Sequence, residues 1–450
     1  MVHLSPSVSF FSEAPSWRLC LGEQTGANCL GGRGGLTFKS PAARKYEVPS
    51  RLPLLDFAIP QTYAGLLKLT NKPDETEELF FWLIPTESPK ANKDIALWTN
   101  GGPGCSSLLG AFQENGPVMW DEGRTKAIKN PYSWSQAASI LYLEHPTNVG
   151  FSSGKAVINN EDQVAEYIFK FLNNFLNIFP EFKGGNFYLT GESYAGMYLS
   201  YTAKLIYARQ KELALQLKGV LFIDPVLAPS VYQEDMPVYP FVKQHANVFK
   251  FNATFMAQLE KLHHDCGYAN FMTKMANNLP TNFDVYNILH TTAGPDPLFS
   301  SSSKPTYLDN PEVRKALNVP GKAPWTRCSD SPTIFPQGDS SLPPSVKVLP
   351  SIIGKGKTII AHGDLDARLF VEGMKLGIQS MTWQDKQGFQ EPINKKFLVD
   401  GKLNGLFQTE RNLTFVQVSA AGHMIPHDQP QAGLAIFKFL IGASDSLGTA

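Results

Sequence analysis

Six short stretches of this 450-residue chain are apolar at nearly every position: residues 95–99, 139–143, 187–190, 220–223, 358–361 and 414–418. A strand with one face in water alternates apolar and polar side chains, because successive side chains point to opposite faces. Stretches that do not alternate are buried on both faces. A sheet covered on both faces is a mostly parallel sheet with helices packed above and below it. Residues 162–178 supply the clearest covering helix, with Val164, Ile168, Phe169, Phe171, Leu172, Phe175 and Leu176 in one wide stripe. The chain is therefore expected to be α/β. Residues 63–69 and 78–84, with Asn71-Lys72-Pro73-Asp74 between them, predict a hairpin ahead of the parallel strands.

The pattern also divides the chain. Residues 1–56 are rich in Ser, Pro and Gly and read as an irregular, poorly ordered leader in which Gly31-Gly32-Arg33-Gly34-Gly35 is a linker. Strand–helix alternation occupies 57–227 and returns over 350–443, leaving 444–450 as a tail. Residues 228–349 break it with a helical stretch at 240–276 and loops at Ser300-Ser301-Ser302-Ser303 and 340–344, and read as a lid insertion. Lys+Arg and Asp+Glu are 40 each, so no net field exists to hold nucleic acid. No stretch approaches the ~18 apolar residues of a membrane span. The first 15 residues lack the apolar core of an ordinary signal peptide.

The strongest local signal is Gly191-Glu192-Ser193-Tyr194-Ala195-Gly196, which follows a strand and opens a helix-compatible run. Small neighbours let a serine sit on a tight strand-to-helix turn with its hydroxyl clear, as in the G-x-S-x-G elbow. An ordinary capped turn would look similar, so the motif alone is even-handed. A serine hydroxyl is a weak nucleophile without a base, and the base needs an orienting acid. His362-Gly363-Asp364-Leu365-Asp366 places two acids after one strand, and Gly422-His423 places a histidine after the last. Serine, acid, histidine is the chain order of α/β hydrolases. A fourth segment, Asn100-Gly101-Gly102-Pro103-Gly104-Cys105-Ser106-Ser107, also follows a strand; its glycines allow backbone N–H groups to approach a developing oxyanion. No Gly-Lys-Ser/Thr follows them, which sets a phosphate-binding loop aside.

Together these four segments resemble the serine carboxypeptidases, peptidase family S10, over about residues 60–440. Asn130-Pro131-Tyr132-Ser133-Trp134, Glu144-His145-Pro146 and residues 325–330 add to the resemblance, and Met381-Thr382-Trp383 with Gln387-Gly388-Phe389-Gln390 gives it a fungal look. The resemblance implies an α/β-hydrolase fold and an acid serine-type carboxypeptidase acting on peptide C-termini, with Ser193 as nucleophile, His423 as base and Asp366 as its orienter. It implies oxyanion donors at the backbone of Gly102 and Tyr194, and substrate-carboxylate binding by Asn100, Glu114 and Glu192. It also implies a Cys105–Cys328 disulfide, which closes a long loop for about 4–5 kcal/mol in the chain-entropy model, and leaves Cys266 without a partner. A secreted or vacuolar setting follows, in which Asn252-Ala253-Thr254 and Asn412-Leu413-Thr414 become glycosylation sequons. The other readings are a related acyltransferase and a non-catalytic peptide-binding descendant.

Three positions depart from the family pattern: His145, where Gln is common and substrate is expected nearby, and Ala367-Arg368 after the acid. No cofactor is expected. No metal is expected either, because His263-His264-Asp265-Cys266 points its side chains apart on a helix, while His423 and His427 lie in a Pro-containing loop.

Overall fold

The six apolar stretches lie in the middle of one sheet. The computed structural model describes residues 38–448 apart from 89–92, 122, 156, 269, 281–282, 291–297, 299–305 and 322–323. All described residues belong to one compact unit, Gly34–Ala450. The strands of its main sheet are β1 (Glu47–Val48), β2 (Thr62–Lys68), β3 (Glu78–Ile84), β4 (Ile95–Thr99), β5 (Ser139–Leu143), β6 (Asn186–Glu192), β7 (Gln216–Ile223), β8 (Lys357–Gly363), β9 (Lys395–Val399), β10 (Lys402–Glu410) and β11 (Leu413–Val418). Their spatial order is β1-β2-β3-β5-β4-β6-β7-β8-β11-β10-β9. From β5 to β11 every neighbouring pair is parallel, and antiparallel strands flank that centre on both sides.

The non-alternating pattern has its expected cause. Phe81, Leu83, Leu97 and Leu189 face one hydrophobic core, while Phe80, Trp82, Ala96 and Trp98 face another on the opposite side of the sheet. Helices α2 (Glu161–Ile178) and α3 (Ala195–Ala208) bury their apolar faces in the first core. The second receives Phe112 from α1 (Leu108–Gln113) and Phe437 from the helix Pro430–Leu440, whose ring stacks on Trp134 with centroids 4.3 Å apart. Asn160 caps α2 by accepting from the Gln163 N–H, and Glu161 and Asp162 sit in its first turn, where negative charge complements the helix dipole.

Several expectations need correction. Part of the expected leader is ordered: among residues 38–56, Phe38 is buried against Tyr63, Phe179 and Phe182, and β1 pairs with β2. Gly31, Gly32, Cys20, Cys29 and Ser300–Ser303 lie outside the described residues. The helical stretch at 240–276 is four helices, Val238–Gln244, Ala246–Phe249, Ala253–His264 and Phe271–Ala276; positive φ at Lys250 ends the second, and positive φ at Cys266 and Asn270 separates the last two. The β9–β10 hairpin was not anticipated. Its lysines and partly exposed positions dilute any apolar pattern, and it gains its place by pairing with β11.

Candidate active site

All the singled-out loops emerge at one edge of the sheet, where the parallel strands end. β6 ends at Glu192 and α3 begins at Ala195, so Ser193 and Tyr194 alone make the turn. Ser193 has φ 63°, a left-handed conformation that costs of order 1–3 kcal/mol for a residue with a side chain. It is held there by three backbone hydrogen bonds: its N–H donates to Ile223 O at 3.0 Å, and its carbonyl accepts from Val226 N at 2.8 Å and Gly196 N at 2.9 Å. The loop after β4 packs directly against this turn. A side chain on Gly101 would place its Cβ 2.3 Å from Tyr194 N, so only glycine lets the two loops close. Among the described residues, neither Gly102 N nor Tyr194 N donates a hydrogen bond. Both therefore remain as donors at the edge of the cleft beside Ser193. Cys105, in the same loop, is disulfide-bonded to Cys328, 223 residues away, and Cys266 is a free, exposed thiol.

Between the two candidate acids, geometry discriminates. Asp366 Oδ2 lies 2.7 Å from His423 Nδ1, and Asp366 Oδ1 accepts from the Arg368 and Leu369 N–H groups at 2.7 and 3.0 Å. Asp364 instead accepts from Ala420 N. Among the described residues His423 Nε2 is buried with no partner, and the ring faces the cleft that Ser193 also lines. The His423 loop is fixed from the 285–288 strap: His423 N donates to Tyr286 O at 2.7 Å, while Ala367 N donates to Val285 O and Ile288 N to Leu365 O. A Cβ on Gly422 would meet Tyr286 O at 2.1 Å, so this glycine is required by the close strap. His427 belongs to a short helical turn, Ile425–Asp428, rather than the expected loop. Burial pulls its pKa down, but hydrogen bonds and charge from Asp121 and Asp428 outweigh it and hold it at about 10. Asp428 in turn accepts from Gly422 N and Asn287 Nδ2, tying the His423 loop to the strap.

The third group is a buried carboxyl pair. Asn100 donates its amide to Glu114 Oε1 at 3.0 Å and to Glu192 Oε1 at 3.4 Å. The amide orientation is fixed, since Asn100 Oδ1 accepts from Trp98 Nε1 and Gly110 N. Burial raises the pKa of both glutamates, and the charge of Glu114 raises Glu192 further. Among the described residues, Oε2 of each has no hydrogen-bond partner. Two such carboxyls retain a proton between them where one alone would ionise.

These parts meet in a cleft of about 530 Å³. Arg368 forms part of its wall and pairs with Glu234 at 2.6 Å. His145 does not line it, contrary to expectation. It is buried, 2.7 Å from Thr99 Oγ1 and edge-on to Tyr198, and burial lowers its pKa to about 3. The serine carboxypeptidase family model matches residues 53–443. The chain belongs to the serine carboxypeptidase family. It is 32% identical to a probable serine carboxypeptidase of Arthroderma benhamiae, over 90% of this chain and 87% of that one. It is 31% identical to serine-type carboxypeptidase F of Aspergillus niger, over 91% and 89%. The crystal structure of a prohormone-processing carboxypeptidase from Saccharomyces cerevisiae superposes with a TM-score of 0.75 at 22% identity, covering 90% of this chain and 97% of that chain, and shares the α/β-hydrolase fold.

Sequence reasoning missed three contributors. Glu144, inside a segment that carried the family resemblance, accepts from Ser106 Oγ, from Phe151 N at 2.6 Å and from Trp325 Nε1 at 3.0 Å. Burial still raises its pKa to about 7. Asp224 lies just past β7 at the same sheet edge, a position that marks it in the sequence; His362 ends up beside it. The Tyr286–Asn287 strap left no signal. The sequons are surface features: Asn252 is exposed and caps Ala253–His264, and Asn412 is exposed between β10 and β11.

Proposed function

We propose that this protein is a serine-type exopeptidase that removes single residues from peptide C-termini through an acyl-enzyme. Ser193 Oγ attacks the scissile carbonyl while His423 Nε2 takes its proton, and Asp366 holds the imidazole by Nδ1. The oxyanion is met by the N–H groups of Gly102 and Tyr194. His423 then gives its proton to the leaving amine. Water repeats the sequence on the acyl-enzyme and restores Ser193. The observation that carries the exopeptidase reading is the Asn100–Glu114–Glu192 cluster beside the nucleophile. An amide donor and a carboxyl that keeps its proton can both donate to a substrate carboxylate, which an internal peptide bond does not offer. The Cys105–Cys328 bond favours an oxidising compartment, in keeping with a secreted or vacuolar setting.

The pH dependence of KM tests this. The glutamate pair keeps its proton in mild acid, so free-acid peptides bind best there. As pH rises the pair loses that proton and repels the substrate carboxylate. KM for N-blocked dipeptides should then climb, while KM for their amide-capped or ester counterparts climbs much less. Glu192→Gln should flatten the climb, because an amide has no proton to lose. Equal pH dependence for free and capped substrates would instead favour an esterase or acyltransferase.

A further inference from the structure

Behind the candidate triad lies a second carboxyl pair. One oxygen each of Asp224 and Asp366 and one ring nitrogen of His423 lie within 4.8 Å of one another, and all three residues are buried. The two acids are unequally served. Asp366 accepts two backbone N–H groups and faces the His423 ring. Asp224 accepts one, from Gly363 N at 2.8 Å to Oδ1, and its Oδ2 has no donor among the described residues. His362 does not supply one. Its Nε2 is 3.5 Å from Asp224 Oδ1 but only 2.8 Å from the Leu369 carbonyl, and burial lowers its pKa to about 4, leaving the ring neutral.

The remaining titratable groups around Asp224 are Asp428 from the turn after His423 and Glu192 from the end of β6, both acidic in character. The charge of Lys375 acts on His362. A buried carboxylate with like charges around it and one donor is disfavoured, so the pair sheds one charge by keeping a proton. Burial and the Asp366 charge both push the Asp224 acid upward.

We propose that Asp224 is a positioning residue that stays protonated and donates its hydroxyl to Asp366, restraining the carboxylate that orients His423. Oδ1 then serves as the carbonyl oxygen toward Gly363 N, and Oδ2–H points to Asp366. The consequence is functional. A donor on Asp366 draws off part of its charge and weakens its grip on the protonated imidazole. His423 therefore releases its proton at lower pH than it would beside an unassisted carboxylate, as an enzyme working in acid requires.

The inference rests on the Ser193–His423–Asp366 assignment but not on the exopeptidase reading, so its test uses an ester substrate that lacks a free carboxylate. The acid limb of kcat/KM against pH is measured for the wild type, Asp224→Asn and Asp224→Ala. Asp224→Asn keeps a neutral donor and should leave the limb within about 0.3 pH unit. Asp224→Ala removes it and should move the limb up by about one unit, the scale of one hydrogen bond to a charged group. A downward shift in Asp224→Asn would mean that an ionised Asp224 had been supporting the imidazolium, and would overturn the proposal. An unmoved limb in folded Asp224→Ala would also overturn it. Should Asp224→Ala fail to fold, infrared difference spectra of the wild type and Asp224→Asn decide. The carbonyl band of a protonated carboxylic acid is expected to vanish in the amide variant, and its absence from the wild type would refute the assignment.

Discussion

Helix α2 and the helix Ala253–His264 are both amphipathic, yet they are built into the molecule very differently. α2 buries ten residues, among them Phe171 and Phe175, against the sheet. Ala253–His264 buries Leu259 alone, with Phe255 and Met256 only partly covered. One lies on a sheet whose strands are fixed by ladders on both sides; the other belongs to residues 228–349, none of whose described members joins that sheet. The small core of this segment includes Leu365, Ala367 and Phe370, the neighbours of Asp366. The sheet thus sets the directions of the site's loops, while the segment rests on those loops and braces them. The links that join the regions near Ser193 include Cys105–Cys328, and Glu144 bonded to Ser106 on one side and Trp325 on the other.

If the chemistry belongs to the sheet-borne loops, Ser193→Ala should lower kcat by ~10⁴-fold or more and abolish labelling by a fluorophosphonate. Phe255→Ala should leave kcat within about twofold. Labelling at another serine, or comparable losses in both variants, would erase the distinction. Next in size is the covalent link. Cys328→Ser should cost about 5 kcal/mol in the chain-entropy model for so long a loop, read from denaturant midpoints, whereas Cys266→Ser should cost under ~0.5 kcal/mol because its thiol is exposed and free. Packing comes third. Phe175→Ala should destabilise by about 3–5 kcal/mol, since its ring is fully buried among Phe81, Phe171 and Phe179. Phe255→Ala should cost under about 1.5 kcal/mol. Similar values would mean that the segment is packed as tightly as the sheet.

The smallest effect is a pH slope at the joint. Glu144 has a pKa near 7 in the folded protein, above that of an exposed glutamate, because burial outweighs its three donors. Its contribution to stability is therefore fully present below about pH 4.5 and is lost as pH rises through about 7. The linkage amounts to roughly 3–3.5 kcal/mol at most. Stability measured from pH 7 down to pH 5 should rise, and Glu144→Gln should make that rise shallower by the share of one proton. An unchanged slope would place the pH sensitivity elsewhere.

What the sequence determined by itself was whatever a short window can encode. Unbroken apolar runs required a two-faced sheet, and β4, β5 and β6 stand at or within a few residues of where those runs predicted them. Small residues around Ser193 and the glycines after Thr99 announced tight turns, because only small residues fit there. The choice of Asp366 over Asp364 came from resemblance; their spacing alone left both open, and the 2.7 Å approach of His423 singles out one. Glu114 entered by resemblance alone, and only packing brings it to Asn100, whose neighbour Thr99 is paired with Gly191 by the β4–β6 register. Asp224, Glu144 and the 285–288 strap acquire their partners only through the same long-range closure. A residue's periodicity says which way its side chain faces, but burial, charge sharing and hydrogen-bond supply depend on neighbours that the register of distant strands selects.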